Sequence, residues 1–354
     1  MQVEYLIIGQ GLCGTWLSYY LQKENISFLV IDNNKPDSAS RTAAGIINPV
    51  TGRRMVTVWM DEEILPFAWH AYNEMSMQLD TSVISQNSII EFFPNTQLQE
   101  VFLQRIKEGC EYLHPYPDQN NFNKYFSFYY GCGEIDPAYT VHLETLLPQW
   151  RQQLQSKDLL IEENFEIKDL KEIENKIHYK DITAEKIIFC DGTNSFNLSF
   201  FKYLPFAFNK GEALIVEIPG LQEQHVFKKG IALVPIQDVK ANLFWVGSTY
   251  LWDFDNAVPS EKFLEQTEQA LKNWLKIPFK ILDHKAAIRP ATVERRPFVG
   301  MHPYHPNIGI LNGMGTKGCS LAPYFAKQLA EHLVHKKEIL PEADIKRFAK
   351  VLSK

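Results

Sequence analysis

Residues 5–14 read YLIIGQGLCG, and this stretch decides the fold of the N-terminal part of the chain. The apolar run 5–8 is typical of a short buried strand, and the glycines after it have G-x-G-x-x-G spacing. An amphipathic segment to about residue 24, an apolar run 26–31 and then Asp32 complete the pattern. Strand, glycine turn, helix, strand and acid follow each other as in a dinucleotide-binding βαβ unit. The sequence therefore predicts a bound dinucleotide rather than an ordinary glycine-rich turn.

Each glycine of this motif has its own expected role. Gly9 allows the tight turn, Gly11 lets the backbone approach a pyrophosphate, and Gly14 lets the helix pack on the strand. The helix N-terminus offers free N–H groups and a positive dipole end to the pyrophosphate. The carboxylate of Asp32 is placed to accept hydrogen bonds from the adenosine ribose.

Composition excludes several classes of protein. The chain has 354 residues, 45% of them hydrophobic, which favours about two domains with large cores. Its net charge is −6 and it has no long Lys/Arg block, which argues against a nucleic-acid or anionic-membrane surface. No apolar run approaches the ~20 residues of a membrane span. The start of the chain has no basic segment or cleavage site, so no signal peptide is predicted.

The cysteines and histidines predict neither disulfides nor a metal site. The five cysteines are odd in number and scattered, without C-x-x-C spacing, which is typical of reduced thiols in a cytoplasmic protein. His302 and His305 flank prolines, but no cysteine or carboxylate cluster accompanies them. The cysteines are Cys13, Cys110, Cys132, Cys190 and Cys319.

The alternation of strand and helix stops after Asp32. Residues 33–52 look like a loop, where an NAD-type doubly wound fold would continue with further βα units. Strand-to-glycine-turn units return at 187–192 and 308–318, and the section from 211 to about 289 is mostly strand-like. We therefore predict a mixed α/β fold: a Rossmann-like dinucleotide-binding domain assembled from discontinuous segments, with an inserted, largely antiparallel β-sheet substrate domain. The predicted bounds are 1–80, 138–205 and 298–354 for the first domain, and 81–137 and 206–297 for the second.

Several individual elements are also predicted. Residues 55–82 and 139–154 look helical, and 126–131 look like a strand. Apolar residues recur at helical spacing over 263–275, with Ser260 as the expected N-cap.

The chain resembles the D-amino-acid oxidase, glycine oxidase and sarcosine oxidase superfamily of flavoproteins over nearly its whole length. The resemblance rests on the order of its motifs rather than on any one of them. These motifs are the N-terminal glycine fingerprint, RTAAGIINP at 41–49, FCDG at 189–192, LVP at 233–235 with VGST at 246–249, IRP at 288–290 running to RPFVG at 296–300, and the C-terminal glycine loop at 313–318.

The resemblance implies non-covalent FAD rather than NAD, so the first domain becomes the FAD-binding domain. The adenine end of the cofactor would lie over the first βαβ unit, and the loop 41–47 would run along the pyrophosphate and ring. The loop 313–318 would approach the pyrimidine side of the flavin, where a helix N-terminus and Lys317 can stabilise negative charge. The residues expected at the FAD are Gly9, Gly11, Leu12, Cys13, Gly14, Asp32, Asn33, Arg41, Thr42, Ala43, Ala44, Gly45, Ile47, Cys190, Asp191, Gly192, Gly313, Gly315, Thr316, Lys317 and Gly318.

The resemblance also implies a substrate residue and a reaction. Arg289 matches the arginine that clamps the substrate carboxylate in the family, and a guanidinium fork binds a carboxylate bidentately without deprotonating. The α-hydrogen of a neutral amine would leave as hydride to flavin N5, and the resulting imine would be hydrolysed. The expected substrate is a small carboxylate-bearing amine, either an amino acid or an N-substituted glycine. No certain catalytic side chain is identified.

The chain departs from the glycine oxidase pattern in two places. The stretch 228–232 has no tyrosine where glycine oxidases carry an aromatic hydroxyl, and Tyr250 is a candidate substitute or simply a core or surface residue. Arg53 and Arg54 could bind an acidic substrate or a phosphate, or form a charged pair at a helix start on the surface.

Two other functions stay open at the level of sequence. The loop 313–323 also resembles the oxidase domain of an enzyme that trims a carboxymethylaminomethyl group on tRNA uridine, although the acidic net charge makes a nucleic-acid partner less favourable. A flavin-binding protein without catalysis is the third possibility, supported by the missing tyrosine. The motifs do not specify the electron acceptor, which could be oxygen or another oxidant, or the oligomeric state.

Overall fold

The computed structural model describes residues 1–236 and 240–353, and these residues form two compact units. The first unit comprises Met1–Arg41, Leu146–Asn209 and the described residues from Ile288 onward. The second unit comprises the described residues of Thr42–Thr145 and Lys210–Ala287. Each unit is therefore assembled from segments that are distant in sequence.

The strands and helices are numbered in chain order. The strands are β1 Gln2–Ile8, β2 Phe28–Ile31, β3 Ile46–Ile47, β4 Val50–Thr51, β5 Val56–Thr57, β6 Ile84–Phe92, β7 Leu113–Pro115, β8 Cys132–Val141, β9 Leu160–Ile161, β10 Leu170–Ile173, β11 Lys176–Tyr179, β12 Ile182–Phe189, β13 Asn209–Glu217, β14 His225–Lys229, β15 Ile231–Pro235, β16 Leu243–Gly247, β17 Lys280–Arg289, β18 Phe298–Met301 and β19 Ile308–Asn312. The α-helices are α1 Leu12–Lys23, α2 Ala39–Thr42, α3 Asp61–Leu79, α4 Thr96–Lys107, α5 Leu143–Ser156, α6 Glu261–Trp274, α7 Gly318–His335 and α8 Ala349–Leu352.

The first unit is built on a sheet with a parallel centre. Strands β9, β2, β1, β12 and β19 are neighbours in that order, and every pairing between them is parallel. The residues of β1 and β2 that pair with each other are all buried, as expected for parallel strands covered on both faces. Because these strands are parallel, their carboxyl ends lie at one edge of the sheet.

The second unit contains a sheet in the order β17, β13, β16, β15, β14, β6, β8 and β3. Its pairings are mostly antiparallel, although β14 runs parallel to β6. Phe92 and Phe126 contact the ring of Trp274 on α6, with centroids 5.6 and 4.9 Å apart. The fold class is therefore the predicted one, a mixed α/β chain with a parallel-centred sheet and a largely antiparallel sheet.

The first boundary difference concerns residues 42–80 and 138–145. The sequence places them with the dinucleotide-binding domain, but in the structure they belong to the second unit. The reason is strand pairing, since Ile46 of β3 lies opposite Thr140 of β8.

The second boundary difference concerns residues 206–209 and 288–297, which belong to the first unit. The Ala207 N–H donates to the Ala291 carbonyl at 2.8 Å, and Phe206 bridges to Thr292. These backbone bonds tie the two stretches to each other within that unit.

Two predictions of secondary structure are wrong. Residues 126–131 form no strand, because the Phe126 N–H donates to the Phe122 carbonyl and the Ser127 N–H to the Trp274 carbonyl instead of to a ladder. The helix predicted over 139–154 starts only at Leu143, because residues 139–141 complete β8 beside β6.

Of two further predictions of secondary structure, one has a shifted boundary and the other is confirmed. The helix predicted over 55–82 is α3, which starts at Asp61 after the β4–β5 hairpin. The N-cap prediction for Ser260 is confirmed, since its hydroxyl accepts the Phe263 N–H at 3.3 Å. No helix in the described part of the chain has the length and apolarity to cross a membrane.

The junction between β1 and α1 yields a prediction for Gly14→Ala. A Cβ on Gly14 would lie 1.8 Å from the carbonyl oxygen of Gly9, so the helix would have to move off the strand. We expect urea unfolding of the apoprotein to show a loss of at least ~3 kcal/mol, the upper end for overpacking.

Gly52→Ala is the control for that substitution. Gly52 has φ +74° and open space around its Cβ position, so only backbone strain of ~1–2 kcal/mol is expected. Equal losses in the two variants would contradict the close contact at Gly14.

Candidate functional site

Four sequence-distant segments meet at the carboxyl edge of the parallel strands of the first unit. Gly9 follows β1, Asp32 follows β2, Cys190 follows β12 and Gly313 follows β19. These strands are adjacent and parallel, so the segments share one edge, where ligands of open α/β sheets bind. The predicted cofactor segments of this unit are thus brought together by topology.

The glycine turn at this edge has no room for side chains. Gly9 has φ +99°, and a Cβ there would lie 2.7 Å from the Cys190 carbonyl oxygen. A Cβ on Gly11 would lie 2.9 Å from Ser40 Oγ. The α1 helix therefore begins directly against the ends of β1 and β12.

The N-cap residue of α1 provides no capping side chain, and the first turn of the helix contains no acid. Its N-cap is Gly11, and the Leu12 N–H donates to Ser40 Oγ at 3.0 Å. The positive end of the helix dipole is thus not neutralised by an acidic side chain of its own first turn, which is the electrostatic condition for binding a pyrophosphate.

Asp32 is held at the end of β2 by three donors. Its Oδ2 accepts the Gln10 N–H at 2.8 Å, and its Oδ1 accepts the Asn34 N–H at 2.8 Å and Arg151 Nη1 at 2.7 Å. Each carboxylate oxygen has two lone pairs, so Oδ2 keeps the capacity to accept one more donor. A ribose hydroxyl is the donor that the sequence predicts there.

Arg151 and Gln10 take part in this arrangement and were missed by sequence reasoning. Arg151 is buried on α5 and also pairs with Glu162 at 2.9 Å. Gln10 is fully buried, and its Oε1 accepts Arg41 Nη2 at 3.2 Å. No motif points to Arg151, because it lies 119 positions from Asp32 and only the fold brings them together.

Asn33 lies next to Asp32 but points to a different partner. Its Nδ2 donates to Asn164 Oδ1 at 2.7 Å, and both side chains are at the surface.

The turn after β12 is joined to the end of β19 by Asn312. Asn312 Nδ2 donates to the Gly192 carbonyl at 2.7 Å and to Ser195 Oγ at 3.0 Å. Ser195 Oγ in turn donates to the carboxylate of Asp191. Burial raises the pKa of Asp191 to about 7, against the opposing effect of that hydrogen bond.

The loop after β19 leads into α7 through a tight glycine turn. Gly313 and Gly315 have φ +78° and +57°, and Gly318 packs close to Leu12 of α1. Thr316 is exposed, and Lys317 is the N-cap of α7.

Lys317 is placed unfavourably for a lysine. Burial lowers the pKa of its ammonium to about 8, and no acid is among the causes of that shift. A cation at a helix N-terminus is also opposed by the helix dipole. An anionic group bound beside it would remove both penalties, which is consistent with the predicted position near a flavin.

The loop 42–47 lies in the second unit and is held by that unit's own residues. The Thr42 carbonyl accepts Trp245 Nε1 at 2.9 Å. Gly45 has φ +79°, and a Cβ there would lie 2.0 Å from the Val141 carbonyl oxygen. Thr42 Oγ1 is buried without a hydrogen-bond partner, so this loop retains unused polar capacity. Ala43 is exposed, Ala44 is partly buried and Ile47 is buried.

Arg289 ends β17 in the first unit. Its Nη1 donates to Oδ1 of the fully buried Asn209 at 2.8 Å, and its carbonyl accepts the Ala291 N–H at 2.9 Å. The guanidinium is thereby oriented by a neutral amide at this nitrogen.

Tyr250, Arg53 and Arg54 lie at the surface of the second unit. Tyr250 is 48% exposed and contacts the Trp252 ring edge-on at 5.2 Å. Arg53 and Arg54 are exposed in the β4–β5 hairpin turn, not at a helix start.

Burial keeps the thiols of Cys13 and Cys319 protonated and the imidazole of His302 neutral. Burial raises the pKa of the Cys13 and Cys319 thiols to about 12, so both are protonated at neutral pH. His302 Nδ1 accepts the Tyr304 and His305 N–H groups, and burial lowers the pKa of His302 to about 4. Among residues 1–236 and 240–353, no group of three or more metal-ligating side chains is suitable for a metal ion.

These groups fit the expected FAD. The glycine cradle and the acid-free first turn of α1 suit a pyrophosphate, Asp32 Oδ2 suits a ribose hydroxyl, and Lys317 suits an electron-rich ring.

Lys317→Met tests the last of these assignments. Because the pKa of Lys317 is lowered in the folded state, its destabilising effect on the apoprotein is complete below about pH 8 and disappears as the pH rises from about 8 to 10.5. We expect the variant to be more stable than the wild type at pH 7 by ~1–3 kcal/mol as apoprotein. It should nevertheless bind FAD more weakly and have a lower flavin midpoint potential, by ~30 mV for each 1.4 kcal/mol lost.

Lys346→Met is the control, because Lys346 is exposed and distant in sequence from the loop. It should change stability by less than ~0.5 kcal/mol and leave FAD affinity unchanged. Unchanged flavin affinity and potential in Lys317→Met would place Lys317 outside the cofactor site.

Solved structures similar to this chain share its fold. An iminodiacetate oxidase from Chelativorans sp. BNC1 has a TM-score of 0.76 and 19% identity, covering 96% of this chain and 97% of that one. A glycine oxidase from Geobacillus kaustophilus has a TM-score of 0.78 and 17% identity, covering 96% of each chain. An L-proline dehydrogenase from P. horikoshii has a TM-score of 0.76 and 15% identity, covering 99% and 98%.

The family match is more specific than these likenesses in fold. The DAO family, described as FAD-dependent oxidoreductases, matches residues 4–332. The match begins within β1 and ends within α7, so it includes all four segments at the carboxyl edge of the parallel sheet. The chain therefore belongs to the DAO family of FAD-dependent oxidoreductases.

Proposed function

We propose that this protein oxidises the C–N bond of a small amino acid or N-substituted glycine, with non-covalently bound FAD as the cofactor that takes the hydride. The observation that carries the proposal is Arg289, whose guanidinium is held by Asn209 at the end of β17, in the unit that contains the glycine cradle. The compounds named in the three similar structures, iminodiacetate, glycine and L-proline, all combine an amine with a carboxylate.

Arg289 would bind and orient the substrate carboxylate. Guanidinium stays charged at every physiological pH and offers a planar fork of N–H donors, so one carboxylate fixes both the position and the rotation of the substrate. Holding the reacting carbon in this way lowers the entropic part of the barrier. FAD, when bound, supplies the hydride acceptor for the α-hydrogen. Lys317 would add positive charge on the cofactor side.

The remaining site assignments are part of the same proposal. The first unit would be the FAD-binding domain, and the second would supply the substrate-binding sheet. The exposed ring of Tyr250 and the exposed pair Arg53 and Arg54 lie in the second unit and have no assigned contact with substrate.

Anaerobic bleaching of the flavin tests the substrate class. Purified holoprotein is mixed without oxygen with glycine, sarcosine, iminodiacetate, L-proline and a set of D-amino acids. We expect at least one to bleach the flavin, because oxidation of the amine reduces the cofactor. A protein bleached by none of them, yet binding tRNA in moderate salt, would favour the modified-uridine substrate instead.

Arg289→Ala tests the carboxylate clamp, with Arg289→Lys as the conservative variant. Removing a hydrogen bond to a charged group costs ~1.5–3 kcal/mol or more, so kcat/KM for the bleaching substrate should fall at least tenfold in Arg289→Ala. Lysine keeps the positive charge but not the planar fork of donors, so the kcat/KM of Arg289→Lys should lie between those of the wild type and Arg289→Ala. FAD content should stay equal in all three proteins; unaltered turnover in Arg289→Ala would refute the clamp.

A further inference from the structure

Asn209, the first residue of β13, is an unusual residue for its surroundings. It is 0% exposed, and its Oδ1 accepts Arg289 Nη1 at 2.8 Å. Its Nδ2 is buried without any hydrogen-bond partner. The side-chain carbonyl of Asn209 therefore binds one guanidinium nitrogen of Arg289, while the NH2 group of the same amide has no hydrogen-bond partner.

This arrangement is costly for stability. A buried donor without a partner loses its hydrogen bond to water on folding and gains none in return, whereas an apolar side chain of similar size carries no such cost. Leucine at position 209 would remove the unsatisfied donor but would also remove the hydrogen bond to Arg289. The benefit of asparagine at this position therefore lies in its contact with Arg289.

The amide is also chemically suited to its partner. A carboxylate at position 209 would form an ion pair with Arg289 and compete with an incoming substrate carboxylate. A neutral carbonyl oxygen accepts one N–H of the guanidinium and leaves its positive charge uncompensated by this partner. The contact fixes the direction of the fork without weakening its attraction for an anion.

We propose that Asn209 is a positioning residue for carboxylate binding, which orients the Arg289 guanidinium at the expense of stability. The inference rests on the proposed role of Arg289 as the carboxylate clamp. It predicts that replacing Asn209 affects ligand binding and protein stability in opposite directions.

The experiment titrates holoprotein with acetate, a carboxylate that lacks an oxidisable amine, and follows the flavin absorption spectrum. The proteins compared are the wild type, Asn209→Leu, Asn209→Asp and Arg289→Ala. We expect the acetate Kd to rise by up to about tenfold in Asn209→Leu, because acetate binding would then have to order the guanidinium, and further in Asn209→Asp, because the new carboxylate would compete with acetate. The Tm of Asn209→Leu should be equal to or higher than that of the wild type, and its FAD affinity should not change.

Asn307→Leu is the matched control. Asn307 is also buried in the first unit, but its Nδ2 donates to the Asn175 carbonyl at 2.7 Å and to Glu172 Oε1 at 3.3 Å. This substitution removes satisfied hydrogen bonds, so it should lower the Tm and leave the acetate Kd unchanged. If Asn209→Leu fails to fold, Asn209→Ser, which is a smaller change, takes its place. It should also raise the acetate Kd.

The outcomes separate this inference from the proposed function. If Arg289→Ala abolishes the acetate response while the position-209 variants bind acetate like the wild type, the positioning role is overturned and the clamp stands. If Arg289→Ala and the wild type respond alike, the clamp fails and the positioning role fails with it. A fall in Tm and FAD affinity of Asn209→Leu, with unchanged acetate Kd, would make Asn209 a structural residue only.

Discussion

The rest of the first unit depends on the contact between the backbone of Gly14 and the carbonyl oxygen of Gly9. A side chain at Gly14 would lie 1.8 Å from that oxygen, so only glycine lets α1 start against the end of β1. That contact aims the helix N-terminus at the carboxyl edge of the parallel strands. The turns after β2, β12 and β19 reach the same edge because these strands are parallel neighbours. One close approach of backbone to backbone thus sets where a dinucleotide can lie.

Three polar features of this unit are not balanced by the protein itself. The first turn of α1 has no acid to oppose the helix dipole, and Lys317 is desolvated at the start of α7. The amide donor of Asn209 is buried without a partner. An anionic group nearby would make the first two features favourable, as expected for a preorganised site, whereas we propose that the third is the cost of orienting Arg289. Asp32 differs, since Arg151 already balances its charge.

The sequence predicted the parts of the fold that are governed by local backbone chemistry. The β1–α1 glycine turn, the fold class, the Ser260 N-cap and the family were predicted correctly, because each depends on residues close together in the chain or on motif order. Strand 126–131 was predicted wrongly, because burial of Phe126 gives the same apolar pattern whether or not its backbone joins a ladder. Arg151 and Asn209 were missed because their partners, Asp32 and Arg289, are 119 and 80 positions away. Single-residue pairings of that kind leave no periodic or motif signal in one sequence.

A crystal structure of the protein with FAD and acetate bound tests the proposed site most directly. We predict FAD phosphate oxygens on the N–H groups of the first turn of α1 and a ribose hydroxyl on Asp32 Oδ2. We also predict the acetate carboxylate on the guanidinium of Arg289, with Asn209 Oδ1 still bonded to Nη1. A pyrophosphate away from the α1 N-terminus, or an acetate bound without Arg289, would contradict the proposed site.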